Sequence, residues 1–412
     1  MPIINQPFQG QLGNILIEQL NSGFNSLTIF SAFAKNSGVL RLKESLQRFK
    51  ESGGKIKAFI GIDLNGTSYE ALLNLFTLCT ELYVVHSENF ATTYHSKIYL
   101  LESSSKAWCA VGSNNLTGGG LWTNFESCAI HTYNIPDEKI ELDNIYSLLE
   151  KYTDSNYPCS ARITSVVNID TLLNANHISK EITQKIDTLS KRVSLKNRQK
   201  KTSLFGSEKV QIPAIITIDP IRQDTSSQKE TALTYDLVIR QEKETPAFTN
   251  EQFWFEMRKS TGGSRNILDL SKFGQIEYGS VKGTPYECPA HPARMYGGIK
   301  FFDIDPEDTH IEKDISINYL GKDYYPSTIK FAPNNGSWRI QLTGSPADAT
   351  DELSKYGNRG DFVHKILVFE KINTKYYVLS LLDESELNTV KSLSRVWARN
   401  GSSLSSKSYG ML

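Results

Sequence analysis

The sequence predicts a multidomain chain in which an α/β sandwich precedes an all-β unit. Three observations predict it. Through residues 1–156, apolar runs of strand length alternate with amphipathic helical stretches, the pattern of helices packed on a partly parallel sheet. From residue 247 to 412 the helical period fades and short apolar runs recur between Gly, Pro and Asn turns, as in a β barrel or sandwich. And 412 residues exceed what one core usually organises.

Each element follows from its own pattern. Residues 14–20 are apolar at helical spacing, and residues 26–33 (SLTIFSAF) read as a buried strand. A helix over 38–50 is apolar at Val39, Leu40, Leu42, Leu46 and Phe49, and Gly53 and Gly54 stop it. A strand over 55–62, a helix over 69–79 and a strand over 81–86 continue the alternation, as do strand runs over 96–101 and 107–111. Residues 125–133 form a further strand, 136–153 a closing helix, and the first domain ends near Asn156. His86, closing a buried strand, reads as a structural histidine. Residues 157–246 read as a connecting region of unassigned packing: helical character over 163–184, a basic run without one acid over 191–201, and strands over 210–221 and 233–240. Strands are then expected over 274–279, 298–303, 314–320, 324–330, 338–342, 362–371 and 375–382.

Composition bounds the function. Lys plus Arg and Asp plus Glu are 45 each, for a net charge of zero, so any nucleic-acid surface must be a local basic patch. The five cysteines, Cys79, Cys109, Cys128, Cys159 and Cys288, contain no CxxC spacing, which fits core fillers in a reducing cytoplasm and no structural zinc. No secretory pattern leads the first strand, and no apolar run approaches the roughly 20 residues of a membrane span. The acidic residues Asp269 and those of the run 303–308 (DIDPED) read as surface turns, not a metal site.

Chemistry concentrates in residues 94–128, at His95, Lys97, Asn115 and Glu126. A phosphodiester repels nucleophiles until fixed cations and amide donors neutralise it; Lys97 and Asn115 suit that task. The nucleophile must be basic near neutral pH and able to leave again, which describes the imidazole of His95. His95 and Lys97 differ by two in a strand-like run, so they share a face. Gly112, Ser113, Asn114 and Asn115 make a turn able to cradle phosphate oxygens, and Glu126 can fix the imidazole tautomer. Gly118, Gly119 and Gly120 mark a close-approach segment where a phosphate backbone could pass without meeting a Cβ. Singly, such residues are usually surface polarity or turn formers; their order and spacing carry the reading.

His95-x-Lys97 with Glu102 five residues on, then Gly112-Ser113-x-Asn115, resembles the HKD motif of the phospholipase D superfamily. Glu102 stands where that family usually has Asp, in a structural role. The chain holds one copy where phospholipases and cardiolipin synthases of the superfamily carry two, so the resemblance implies a homodimer pooling two motifs, as in its nucleases. In the second half, residues 250–274 and 317–342 resemble the DNA-recognition domain of restriction endonucleases of the BfiI and NgoFVII type. That domain is similar to the plant auxin-response-factor (B-three) pseudobarrel, which embraces double-stranded DNA with two arms.

The implied function is a metal-independent, cofactor-free, sequence-specific endonuclease acting through a phosphohistidine. Some relatives of this type require a partner ATPase. For base contact the residues themselves point to Arg258, Lys259, Ser260, Arg265 and Asn266, on a glycine-broken loop after Phe255, because Arg pairs with guanine and Asn with adenine. The tail residues Arg395, Trp397, Arg399 and Asn400 read either as a second contact or as a solvated terminal helix. Two other readings stand beside this one: a phospholipase-like lipid phosphodiesterase, which calls for a second motif and a membrane-facing surface, and a non-cleaving DNA-binding protein that keeps the HKD domain as a dimer scaffold.

Overall fold

The computed structural model describes residues 2–89, 91–196, 210, 251–258, 265–347, 350–401 and 403–412. Lys259, Ser260, residues 197–201 of the basic run, all but the first residue of the strand expected over 210–221, and the strand over 233–240 lie outside the described residues.

The first unit opens with β1 (Ile3–Gln6), α1 (Leu12–Leu20), β2 (Ser26–Ser31), α2 (Asn36–Glu51), β3 (Lys55–Gly61), α3 (Tyr69–Leu78) and β4 (Glu81–Val85). It continues with β5 (Lys97–Glu102), β6 (Lys106–Gly112), β7 (Glu126–Asn134), α4 (Asp143–Thr153), β8 (Ser160–Ile163) and α5 (Val166–Asn174). These strands form one mixed sheet in the order β1-β7-β6-β5-β2-β3-β4-β8, with β2, β3 and β4 mutually parallel. Helices α1, α2, α3 and α5 cover one face, where Leu16, Leu42, Leu72 and Ile169 are fully buried. Helix α4 covers the other, over Phe30, Phe59 and Leu100. Covered on both faces, β2 and β3 lose polar alternation and read as continuous apolar runs.

Two expectations change here. The closing helix does not run unbroken from residue 136: a 3-10 turn, Lys139–Leu142, precedes α4 and lets Leu142 reach the core. The sheet also continues past Asn156, since β8 pairs antiparallel with β4 and covers what would otherwise be an open edge.

Helix α6 (Glu181–Lys196) leads to the second unit. There follow β9 (Gln252–Met257), β10 (Ile267–Ser271), β11 (Phe273–Gly279), β12 (Arg294–Tyr296), β13 (Glu312–Tyr319), β14 (Lys322–Ala332) and β15 (Ser337–Gln341). The chain ends with α7 (Leu353–Arg359), β16 (Lys365–Lys371), β17 (Tyr376–Asp383), α8 (Leu387–Leu393), β18 (Val396–Arg399) and β19 (Ser408–Met411). Among the described residues these strands form one curled sheet of eleven, a half-barrel, antiparallel except between β13 and β17. The curl brings β10, at one end of the order, into β11 near the other through the single residue Lys272. Asn400 ties that bend, its Oδ1 accepting from Ser271 N at 2.7 Å and its Nδ2 donating to Asp269 O at 2.7 Å.

The tail therefore forms β18, not a terminal helix, and Arg395, Arg399 and Asn400 are engaged within the chain: Arg395 with Glu251, Arg399 with Glu277. The strand expected over 298–303 is instead a 3-10 turn, Gly298–Phe302. Ile299, Phe301 and Phe302 are all fully buried there, an apolar run that a strand covered on both faces would show equally. Strand β9 was illegible for a related reason: all six of its residues are buried, so no alternation marks it.

A polar seam joins the units. Lys43 of α2 lies 2.7 Å from Asp323 of β14, and Asn74 meets Asn318 across the same seam at 3.3 Å. Burial alone would raise the Asp323 carboxyl; the Lys43 ammonium, Asn318 and Tyr376 overcome that and hold it below its ordinary value. Glu181, opening α6, accepts from Asn36 N at 2.6 Å and Ser68 Oγ at 2.7 Å, while Glu70 accepts from Glu181 N at 3.0 Å. Burial and the Glu181 charge push the Glu70 carboxyl from 4.5 up to about 7. A carboxyl raised on folding favours the folded state at low pH, and that contribution, at most about 3 kcal/mol, is lost as pH climbs from the unfolded to the folded value. Wild type should therefore melt lower at pH 7.5 than at pH 5, and Glu70→Gln should flatten that slope in a calorimetric pH series.

Candidate active site

Strand register gathers the four candidate residues at one end of the sheet. Lys97 pairs with Ser31, Ile98 with Val111, Gly112 with Cys128, and Glu126 with Gln6. The start of β5, the finish of β6 and the start of β7 therefore lie side by side beyond the carboxyl end of β2. Parity then places Lys97 and Glu126 on the same face, the one covered by α1, α2 and α3.

The turn after β6 is sewn to the segment after β2. Leu116 N donates to Ser31 Oγ at 2.8 Å and to Phe33 O at 3.1 Å, while Lys35 N donates to Leu116 O at 3.0 Å. Asn115 Oδ1 accepts from Phe33 N at 3.2 Å, which leaves the NH2 end of the amide for an anionic ligand. Asn114 points inward, 1% exposed, its Nδ2 donating to Gly120 O at 2.8 Å. The glycines here serve the protein's own backbone, not a passing phosphate chain: a Cβ on Gly120 would stand 2.4 Å from Asn115 O. Gly120 is also buried, within the π-type turn Gly119–Thr123.

His95 is exposed at the mouth of this end, its ring edge-on to Phe33 at 5.8 Å. Lys97 is 6% exposed, and its Nζ lies 2.7 Å from His95 Nδ1 and 2.7 Å from His95 O. Burial lowers the Lys97 ammonium from its ordinary value, with the Glu126 charge opposing. Glu126 does not orient the imidazole directly in this arrangement. Its carboxylate accepts from Ser113 Oγ and, at 3.2 Å, from Asn124 Nδ2. Glu102 sits at the far end of β5, bonded by Tyr146 OH at 2.6 Å, a structural position.

One contributor escaped the sequence reading. Asp63, just past β3, accepts from Tyr94 N at 2.9 Å with Oδ2, while its Oδ1 lies 2.5 Å from His86 Nδ1. It anchors the backbone immediately before His95, and His86 is the structural histidine expected. The available signal was positional: parallel strands β2, β3 and β4 end at the same edge, where α/β sheets gather site residues.

The arrangement offers an accessible imidazole, a half-desolvated ammonium, an amide NH2 and a carboxylate around one opening, a set able to bind and attack a phosphoryl group.

No family model matches the chain, and no curated protein matches it. Several solved structures are similar to it. A phospholipase D family member, Nuc from Salmonella typhimurium, is 19% identical over 40% of this chain and 97% of its own, with a TM-score of 0.28. NucT from Helicobacter pylori is 15% identical over 36% of this chain and 94% of its own, with a TM-score of 0.26. Phosphatidylserine synthase from Haemophilus influenzae is 13% identical over 45% of this chain and 43% of its own, with a TM-score of 0.30.

In the second unit, the described members of the base-reading set are engaged with their own chain. Arg258 Nε donates to Glu256 Oε1 at 2.5 Å and its Nη1 to Ser405 O at 2.7 Å. Arg265 Nη1 donates to Asn358 O at 3.2 Å, and Asn266 Nδ2 to Leu342 O at 3.1 Å. Asn266 thus acts as a staple between β10 and the end of β15. Among the described residues no helix is long and apolar enough to cross a membrane.

Proposed function

We propose that the chain is a phosphodiester-cleaving DNA endonuclease of the restriction type, acting as a homodimer through a phosphohistidine. The observation that carries this is the convergence of His95, Lys97, Asn115 and Glu126 on one sheet end, with the imidazole accessible and the lysine beside it. The motif resemblance and the resemblance of the second half to DNA-recognition pseudobarrels support duplex DNA as the substrate, with Arg258, Lys259, Ser260 and Arg265 as its first contacts, Arg258 and Arg265 exchanging their bonds within the chain for the duplex, and Asn266 as the staple that closes β10 onto β15.

The proposed reaction balances with two copies. Nε2 of one His95 attacks phosphorus; the P–O bond to the leaving strand breaks, and that oxygen takes the Nε2 proton of the other His95. The second imidazole, now neutral, accepts a proton from water, whose oxygen displaces the first histidine. Lys97 and Asn115 of both copies carry the charge of the pentacovalent state. This chemistry calls for no metal.

A dimer would also cover an apolar margin. Ile3 and Val111 flank Ala129 in the register and are 62% and 46% exposed, and the stacked rings of Phe8 and Phe125, 66% and 67% exposed, stand beside Glu126. Val111→Glu should yield a monomer in sedimentation and lose cleavage by at least about 10²-fold, because a charge in an apolar contact stays unpaired.

The direct test is digestion of unmethylated phage and plasmid DNAs by the purified chain in EDTA. Discrete fragments support the proposal, a smear removes sequence specificity from it, and intact DNA removes the activity.

A further inference from the structure

Lys97 holds the clue. As an ammonium it has three donors and no acceptor, and its Nζ lies 2.7 Å from His95 Nδ1 and 2.7 Å from His95 O. A donor on Nδ1 makes that nitrogen the acceptor, so the neutral ring must carry its proton on Nε2. A ring in that form has no lone pair on Nε2 with which to attack phosphorus. The carboxylate that could accept from Nδ1–H is turned elsewhere, because Glu126 is positioned by Ser113 Oγ and by Asn124 Nδ2. Two contacts therefore hold the same state: lysine on the ring, and serine on the carboxylate.

We propose that the resting site keeps His95 locked by Lys97 as its Nε2–H tautomer, and that a phosphate anion unlocks it. The phosphate oxygens compete for the Lys97 donors. Once these turn away, Glu126 takes over Nδ1, which becomes Nδ1–H. His95 is exposed, so solvent water removes the Nε2 proton and supplies the Nδ1 proton, with no net change in protonation. Ser113 is the positioning residue that withholds Glu126 until then.

This rests on the phosphodiesterase reading and deepens it. A symmetric pair of sites needs one nucleophile and one acid. At rest neither copy holds a nucleophile, and opening a single lock supplies one. It would also spare the resting site from reacting with whatever phosphate-poor molecule enters it.

The test is nitrogen NMR of the full chain labelled in histidine and lysine, since ring nitrogens with and without a proton resonate far apart, and His95→Ala identifies the His95 signals among the seven histidines. Without phosphate, wild type should show Nδ1 bare and Nε2 protonated as a single form. Inorganic phosphate should move the Lys97 Nζ signal and transfer the proton to Nδ1 along one binding curve. Lys97→Met should show a mixture of tautomers that phosphate does not change, and Ser113→Ala should shift the resting ring toward Nδ1–H before any phosphate is added. Nδ1–H in phosphate-free wild type overturns the lock. So does phosphate at its highest usable concentration leaving both signals in place. Cleavage is scored separately: a ring that switches in a chain that cuts no DNA retains the lock and removes the nuclease, and a chain that cuts with Nδ1–H at rest does the reverse.

Discussion

His95→Ala should cut DNA slower than wild type by on the order of 10⁴-fold or more, the loss seen when a catalytic nucleophile is removed from a site whose charge-stabilising donors remain. Removing the exposed ring leaves intact the bonds that hold the neighbouring loops, from Tyr94 N to Asp63 Oδ2 and from Leu116 N to Phe33 O. Folding and retention of duplex DNA should therefore match wild type in a melting scan and a filter-binding assay. Wild type quenched in denaturant during turnover should carry a labelled DNA end bonded to histidine, which the variant should lack. Equal cleavage by the two proteins would overturn the assignment of the nucleophile, whatever the fate of the rest of the proposal.

Trp122→Ala should destabilise the first unit by about 3–5 kcal/mol, the usual range for deleting a buried aromatic ring. Its indole is fully buried, donates to Asn14 Oδ1 at 3.0 Å and lies under the Arg41 guanidinium at 5.5 Å. Gly13 fits against the same ring so closely that a Cβ there would stand 2.2 Å from it, so no neighbour can grow into the space. The residue belongs to the turn whose Gly120 supports Asn115. Cleavage by the part of the variant that remains folded should consequently fall as well, by about 10²-fold if Asn115 shifts by an ångström. Trp122→Phe keeps most of the packing and loses the indole bond, and should cost about 1 kcal/mol with near-normal cleavage. A calorimetric scan beside a cleavage assay separates the two effects; a Trp122→Ala chain that melts like wild type would show the ring to be dispensable.

The two halves of the chain were not equally legible. In the first, β2, β3 and β4 and helices α1, α2 and α3 follow patterns of apolar residues that sequence alone displays, and each appears within a few residues of its expected bounds. In the second, β9 and the 3-10 turn holding Phe301 and Phe302 escaped because their residues are buried without alternation. The short tail strand β18 drew its partners, β11 and β19, from residues over 100 positions back and from the chain's last residues.

Residue types and spacing along the chain by themselves determined which groups could do the chemistry: a histidine and a lysine two apart, an amide in a glycine turn, and a carboxylate opening the next strand. Only tertiary structure decided how those groups meet. The contact of Lys97 with Nδ1, the diversion of Glu126 to Ser113, the anchoring of the loop by Asp63 and the carboxylate seam at Glu70 and Glu181 all depend on side-chain direction and strand register. The physical reason is range. Periodicity reports which face of its own element a residue occupies, whereas hydrogen bonds and charge pairing depend on ångström distances between elements that only packing fixes.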